Sequence, residues 1–317
     1  MTSKIQHQSH IPKEMAYDRL DQAVVALFPQ YSRSRLQTWI KSGELVIDGQ
    51  PGKSKDKVMG GELVEIDATL ESITDEAEDI PLEIIFEDES VLVVNKRAGL
   101  VVHPGAGNRQ GTMLNALLHH LPVLSEIPRA GIVHRLDKNT TGLMVVAKTL
   151  VSQNSLVAQL QLHTVKRLYE AIVYGTPPHH GSVSAAVGRD PGHRTRMVVR
   201  DDGKAATTHY RILRSFSCHS HMEFSLETGR THQIRVHMQH LGFPLVGDVA
   251  YGGQFRQPKV RDELLSSDLK SFPRQALHAK ELSFRHPVTN MMTEFKAPLP
   301  NDISTLLSTL YAAEDEQ

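Results

Sequence analysis

Asp137 stands in the segment Gly131-Ile132-Val133-His134-Arg135-Leu136-Asp137-Lys138, which passes through a polar, turn-prone Asn139-Thr140-Thr141-Gly142 into the apolar run 143–147. A loop anchored to a strand is where a scaffold displays reactive groups. Flanked by the cations Arg135 and Lys138, the Asp137 carboxylate has the chemistry of a nucleophile or a general base. Without its surroundings the same residue would serve equally well as a cap or a turn. Two other chemistries can be weighed on spacing. His219, His221, His232, His237 and His240 fall within 22 residues, a density that invites a metal site. No Glu or Asp completes an HExxH or comparable ligand set, so scattered surface histidines are the better account, and no metal is expected. His134-Arg135-Leu136-Asp137 also has the form of a kinase catalytic loop. With no Gly-rich phosphate loop before it and no Asp-Phe-Gly after it, that reading fails.

The elements that would position these residues follow from periodicity. Short apolar strands are expected at 91–94, 143–146 and 171–173, with Leu143 a packing residue. They alternate with helical segments such as 112–121, whose Leu114, Leu117, Leu118 and Leu121 form one stripe. Ahead of them, 18–28 predicts a short helix with Leu20, Val24 and Leu27 on one face, ended by Pro29. Ser32 is placed to cap a second helix that turns Leu36, Trp39 and Ile40 inward and stops at Gly43, leaving Arg33, Arg35 and Lys41 outside. Strands at 45–47 and 63–66, with Asp48-Gly49 as a hairpin turn, complete this unit. The stretch 67–79, six acids and no base, reads as a linker. The expected organisation is an N-terminal region, 1–75, holding the small unit at about 17–66 and the linker, then a larger domain, 76–317. The elements mix α and β, and their periods leave the topology open.

At 317 residues, 40% hydrophobic and 22% charged, the chain has the composition of a globular protein of one or two domains. No apolar run approaches the roughly 20 residues that span a bilayer, and the first residues carry no hydrophobic signal core, so no membrane partner is expected and the cytoplasm is the expected compartment. Cys218 is the only cysteine, which excludes an intramolecular disulfide and a Cys-rich zinc cluster. The net charge of −1 conceals an uneven distribution: Lys166 to Arg261 carries 14 Lys and Arg against 7 Asp and Glu. Such a basic stretch suits either phosphates or a solvated face.

Longer blocks narrow the choice. The residues SRSRLQTWIKSGELVIDGQ, 32–50, resemble the α-L RNA-binding domain of ribosomal small-subunit protein S-four. HRLDKNTTGLMVVAKT resembles the catalytic signature of the RluA-type RNA pseudouridine synthases, whose aspartate corresponds to Asp137. LVVNKRAGLVVHPGAG, 92–107, is similar to the family's first motif, with Arg97 where proline is common. KRLYEAIVYG, 166–175, is similar to the strand bearing its active-site tyrosine, with Leu168 at a variable position. LETGRTHQIRVHMQHLGFPLVGDVAYGG, 226–253, is similar to its third motif. Together with GKAATTHY, 203–210, these blocks cover nearly the whole chain.

This resemblance implies an α+β fold, with a small RNA-binding domain followed by a mixed, mainly antiparallel-sheet catalytic domain that turns uridine into pseudouridine. It implies Asp137, Tyr169 and Arg230 as catalytic residues. Asp137 would attack covalently or remove a sugar proton, Arg230 would pair with it, and Tyr169 would stack on the uracil and help take the proton from carbon five. Thr231 is placed to cap the helix carrying Ile234, Met238 and Leu241. Arg33, Arg35, Lys41, His134 and Arg135 would touch RNA, with Lys53, Lys55 and Lys57 beside them, although His134 and Arg135 could equally be structural. No cofactor is implied. PRAGIVHRLDK and RQALHA, 274–279, point to members acting on large-subunit ribosomal RNA, and so to the helix-69 stem-loop. Another ribosomal site, transfer RNA, or an assembly factor without activity are the alternatives. The partner would be ribosomal RNA or a pre-ribosomal particle, and the protein a monomer.

Overall fold

The computed structural model describes residues 3–315 except 30, 32, 71–75, 106–107, 194, 253–255 and 257–261. Two sheets organise the chain. The first combines β1 (Ser3–His10), β2 (Leu45–Ile47), β3 (Gln50–Pro51) and β4 (Leu63–Leu70) in the order β1-β4-β2-β3, all antiparallel. Helices α1 (Leu20–Leu27) and α2 (Arg33–Ser42) cover it. Leu20, Val24, Leu36, Trp39 and Ile40 are buried together with Leu45, Val64 and Ile66, as the helical and strand periods predict. Asp48 and Gly49 both take positive φ at the β2–β3 turn, and Gly43 takes φ 81° after α2, matching the expected turn and stop. Ser32, the expected cap, lies outside the described residues.

Strand β1 was not visible in the sequence. From Lys4 to His10 its residues alternate in exposure, with Ile5, His7 and Ser9 turned inward. Only one of those three is strongly apolar. The His7 Nε2 and the Tyr31 hydroxyl are 2.7 Å apart, so polar contacts and backbone pairing stand in for a hydrophobic stripe.

The second sheet is built from β5 (Glu83–Glu87), β6 (Val91–Lys96), β7 (Thr141–Ala147), β8 (Lys166–Tyr174), β9 (His180–Ser184), β12 (Thr207–Ser215), β13 (His219–Leu226), β14 (Leu277–Arg285) and β15 (Met292–Lys296). A separate two-stranded ribbon joins β10 (Val187–Arg189) to β11 (Met197–Val199). The order is β5-β6-β7-β14-β8-β13-β12-β9, with β15 on β14, and only the short β7–β14 pairing is parallel. The expected mainly antiparallel α+β architecture is therefore present.

Strand β6 shows how the period of two divides the core. Leu92 and Val94 pack with Met113, Leu114, Leu117 and Leu118 of α3 (Met113–His120), whereas Val91 and Val93 pack on the other side with Leu156 of α4 (Leu150–Gln161). Thr112 caps α3 in a reciprocal capping box with Asn115. Tyr169, Ala171 and Val173 of β8 share the α3 side; Ile172 and Tyr174 face α6 (Glu263–Ser271) and α7 (Asn301–Asp315). The remaining helix, α5 (Gln233–His240), follows β13.

The acidic stretch is less of a linker than its composition suggests. Residues 67–70 complete β4. Farther on, Glu78 accepts from the Gly111 N–H and the Glu76 carbonyl accepts from Asn115 Nδ2, so this part fastens the start of α3.

Candidate active site

Asp137 lies on a loop between a run of short turns and β7, and its carboxylate is 16% exposed. The loop is held at nearly every residue. The Thr140 N–H donates to the Asp137 carbonyl at 3.1 Å. Lys96, at the end of β6, is buried and donates from Nζ to the carbonyls of Arg97, Leu100 and Lys138 at 2.9, 3.0 and 2.9 Å. Arg274 grips the Asp302 carboxylate in two-pronged fashion and donates from Nη1 to the Asn139 carbonyl at 3.1 Å. Gln275 Nε2 donates to the Thr140 hydroxyl, and Thr141 meets His278 Nδ1 at 2.9 Å. RQALHA is thus the outer clamp of the Asp137 loop. Such packed support holds a reacting group within a fraction of an ångström of its working position.

The guanidinium expected from Arg230 is supplied by Arg235. Its Nη1 donates to Asp137 Oδ2 at 2.9 Å, while Nε and Nη2 hold both oxygens of Asp248 at 2.7 and 2.8 Å. Burial pulls the Arg235 pKa down, but its bonds to Asp248 and Asp137 raise it above the ordinary value, so the cation is secure. The Arg235 guanidinium also lies 4.8 Å from the centre of the Tyr251 ring. Tyr251 is fully buried; its hydroxyl accepts from the Met197 N–H at 2.8 Å and lies 2.7 Å from His232 Nδ1. His232 Nε2 then stands 3.7 Å from Asp137 Oδ1, and burial lowers its pKa, with Asp137 opposing, so the ring is neutral at neutral pH.

Arg230 sits elsewhere on the rim. It is half-buried and donates from Nε to the Ala205 carbonyl at 3.0 Å. Thr231 is not the cap of α5: His232, in the left-handed region at φ 58°, holds that position without a side-chain bond. The Arg230 N–H is taken instead by the Gln233 Oε1.

Asp137, Tyr169, Arg230, His134 and Arg135 all line one cleft of about 1010 Å³, with Arg167, His163 and Thr228 among its other walls. Tyr169 is 6% exposed, and burial raises its pKa, so its hydroxyl keeps its proton at neutral pH. His134 is neutral as well: burial drops its pKa to about 3, and its Nε2 accepts from the Val145 N–H at 3.1 Å. It therefore pins the loop to β7 and offers no cation to phosphate. Arg135 is exposed at the mouth.

In the N-terminal unit the expected cations divide. Lys41 is exposed, as are Lys53, Lys55 and Lys57. Arg33 is exposed but its Nη2 donates to the buried Asp21 at 2.8 Å, and Arg35 is half-buried rather than outside. Both lie on α2 and hold the small core together as much as they face solvent.

The histidine cluster is not a scatter of surface groups. His219, His221 and His237 are buried. His221 pairs with Glu170 at 2.8 Å, and His237 lies 2.9 Å from the Thr208 hydroxyl. Among the described residues, no three of His, Cys, Asp and Glu are grouped to hold a metal ion.

Comparison with known proteins identifies the family. Residues 90–240 match the family described as RNA pseudouridylate synthase, and residues 18–64 match the S4 domain. The chain is 52% identical over 311 residues to ribosomal large subunit pseudouridine synthase D of Pseudomonas aeruginosa, covering 98% of this chain and 97% of that protein. It is 48% identical over 318 residues to the protein of the same name from Escherichia coli K12, covering 100% and 98%. Among solved structures, human RNA pseudouridylate synthase domain containing 4 aligns with a TM-score of 0.56 at 26% identity, covering 72% of this chain and 93% of that one.

Proposed function

Because the chain belongs to the RNA pseudouridylate synthase family, we propose that it isomerises uridines of large-subunit ribosomal RNA, in the helix-69 stem-loop, with Asp137 as the reacting carboxylate. The observation that carries this reading is the Asp137 carboxylate held by Arg235 at 2.9 Å in the cleft that Tyr169 also lines. The names of the full-length relatives support the large-subunit substrate. The similarity of PRAGIVHRLDK and RQALHA to the same subgroup supports the stem-loop.

The reaction breaks the bond from C1′ to N1, turns the uracil, joins C5 to C1′, removes the C5 proton and places a proton on N1, which kept the electron pair of the broken bond. In one route an Asp137 oxygen bonds to C1′ as the uracil leaves with the electron pair, and is itself displaced when C5 attacks. In the other, Asp137 removes a sugar proton and later returns it. Both routes use the unprotonated carboxylate, which Arg235 orients. Tyr169 stacks on the uracil, and because its buried phenol holds its own proton it helps to take the C5 proton only as a relay that gives one up as it receives the other. Since a stacked base hides these atoms, the nucleotide is flipped into the cleft at a cost of a few kcal/mol, least in loops. Arg135 at the mouth and Arg230 at the rim contact the RNA there. The N-terminal unit offers Lys41, Lys53, Lys55 and Lys57 to the backbone, which positions without reading sequence. The protein works as a monomer in the cytoplasm, on ribosomal RNA or a pre-ribosomal particle.

The test is conversion of uridine to pseudouridine in ribosomal RNA from a synthase-deficient strain by the purified chain without added metal, with the product mapped. Asp137→Asn should abolish conversion and keep RNA binding. Conversion that survives this substitution would remove Asp137 from the chemistry; product outside helix 69 would redirect the substrate.

A further inference from the structure

Four Lys or Arg residues are buried among the described residues: Lys96, Arg167, Arg235 and Arg274. Three of them have their oxygens. Lys96 has three carbonyls, Arg235 two carboxylates, and Arg274 the Asp302 carboxylate with carbonyls beside it. Arg167 has none. It is 8% exposed, no carboxylate of the described residues lies within ion-pair distance, and its Nε is buried without a hydrogen-bond partner among them. An isolated buried guanidinium is costly, because nothing replaces the water it has lost.

Its position indicates what would replace that water. Arg167 lies on β8 two residues before Tyr169, so the strand period puts both side chains on the same side of the sheet, and both line the cleft. Tyr169 and His134 both feel its charge. Across the cleft, Gly229 makes room for it: a Cβ there would lie 2.7 Å from Arg167 Nη1. The Gly229 backbone is outside the left-handed region, so space, and not conformation, calls for glycine.

We propose that Arg167 is a substrate-binding residue whose guanidinium takes an anionic oxygen of the flipped nucleotide. Two oxygens have this chemistry: a uracil carbonyl, which gains negative charge as the base departs with the C1′–N1 electron pair, and a phosphodiester oxygen next to the flipped sugar. Either completes the one buried cation that is left unpaired among the described residues. In the first case the bond strengthens as charge develops, which is how fixed donors accelerate a reaction. In the second it adds to binding and is screened by salt.

The assignment rests on the pseudouridine synthase reading and is tested in the full chain with Arg167→Met and Arg167→Lys. Three quantities are read: the single-turnover rate on a ribosomal RNA fragment containing the helix-69 stem-loop, the Kd of that fragment across a salt series, and the thermal midpoint. Arg167→Met keeps an apolar stem and discards an unpaired charge, so its midpoint should be equal to or above the parent's. Its rate or its affinity should nevertheless fall about 10- to 100-fold, with Arg167→Lys in between. A phosphate partner predicts weaker binding and a salt slope reduced by about one. A uracil partner predicts a slower single turnover at unchanged Kd and slope. A methionine variant within threefold of the parent in both rate and Kd overturns the assignment. So does a loss that comes with a lowered midpoint and no recovery by lysine, which marks a structural role. A parent chain that makes no pseudouridine would count against the activity itself and leave the Kd series to judge Arg167.

Discussion

Arg235 joins two carboxylates with different duties, and the structure predicts that these duties can be separated. Replacing it with leucine leaves Asp248, whose side chain is 1% exposed, as a buried charge without a partner. Breaking a buried pair in this way costs about 3–5 kcal/mol. The same substitution removes the 2.9 Å bond to Asp137, and a reacting group displaced by about 1 Å loses roughly 100-fold in rate. Adding Asp248→Asn to Arg235→Leu discards the stranded charge and leaves a buried amide short of a partner, worth about 1–3 kcal/mol. Stability should therefore recover by about 2 kcal/mol, while the rate stays about 100-fold down because Asp137 still lacks its guanidinium. Urea unfolding reads the first quantity and single-turnover conversion the second. An Arg235→Leu variant as stable as the parent, or a double variant with restored rate, would refute the two-duty account. Arg230→Leu is the control: that side chain is half-buried with a single bond to the Ala205 carbonyl, so its stability cost should stay within about 1 kcal/mol.

Lys96 should give stability a pH slope. Burial lowers its pKa from 10.5 to about 7, against the pull of Asp137; the unfolded chain thus holds the extra proton between those values. Stability gained from this residue is complete above about pH 10.5 and is lost as pH falls through about 7, by up to about 5 kcal/mol. Lys96→Met should flatten urea unfolding measured from pH 7 to 9, and parallel profiles would count against it. Gly142 has φ 117°, and an added Cβ would lie 2.2 Å from the Ala279 carbonyl oxygen, so Gly142→Ala should cost about 2–4 kcal/mol in the same assay. Replacing Lys41, Lys53 and Lys55 together with alanine should weaken RNA binding and lower its salt slope by up to about three, with the saturated single-turnover rate unchanged; a changed rate would mean that the N-terminal unit shapes the cleft. Removing residues 1–75 should likewise weaken RNA binding more than chemistry, and an unchanged Kd would deny the N-terminal unit its RNA role.

Much of this was open to reading in the sequence because it rests on local patterns. The stripe of Leu114, Leu117 and Leu118, the Asp48-Gly49 turn and the strand 143–146 each follow from a few neighbouring residues. The Asp137 loop and Tyr169 stood out through motif blocks. Arg235 did not, although it lies in the same block as Arg230. A buried arginine and a surface arginine look alike until a partner is seen, and its partner Asp137 is 98 residues away. The same holds for Asp248 and Tyr251 in GDVAY, and for Lys96, whose three acceptors are all backbone carbonyls. Buried histidines looked like surface ones for the converse reason: His221 reaches Glu170, and His237 reaches Thr208, only after the sheet has formed.

Strand β14 begins at residue 277, yet it lies at the middle of the sheet, between β7 and β8. During synthesis β5, β6 and β7 emerge early but cannot join β8 and β13 until this late segment arrives between them. The Asp137 loop, clamped by Arg274, Gln275 and His278 just ahead of and within β14, is likewise finished last. Contacts so distant along the chain make folding slow. A nascent or truncated product that ends before β14 therefore carries Asp137 without the Arg274, Gln275 and His278 contacts that fix its loop.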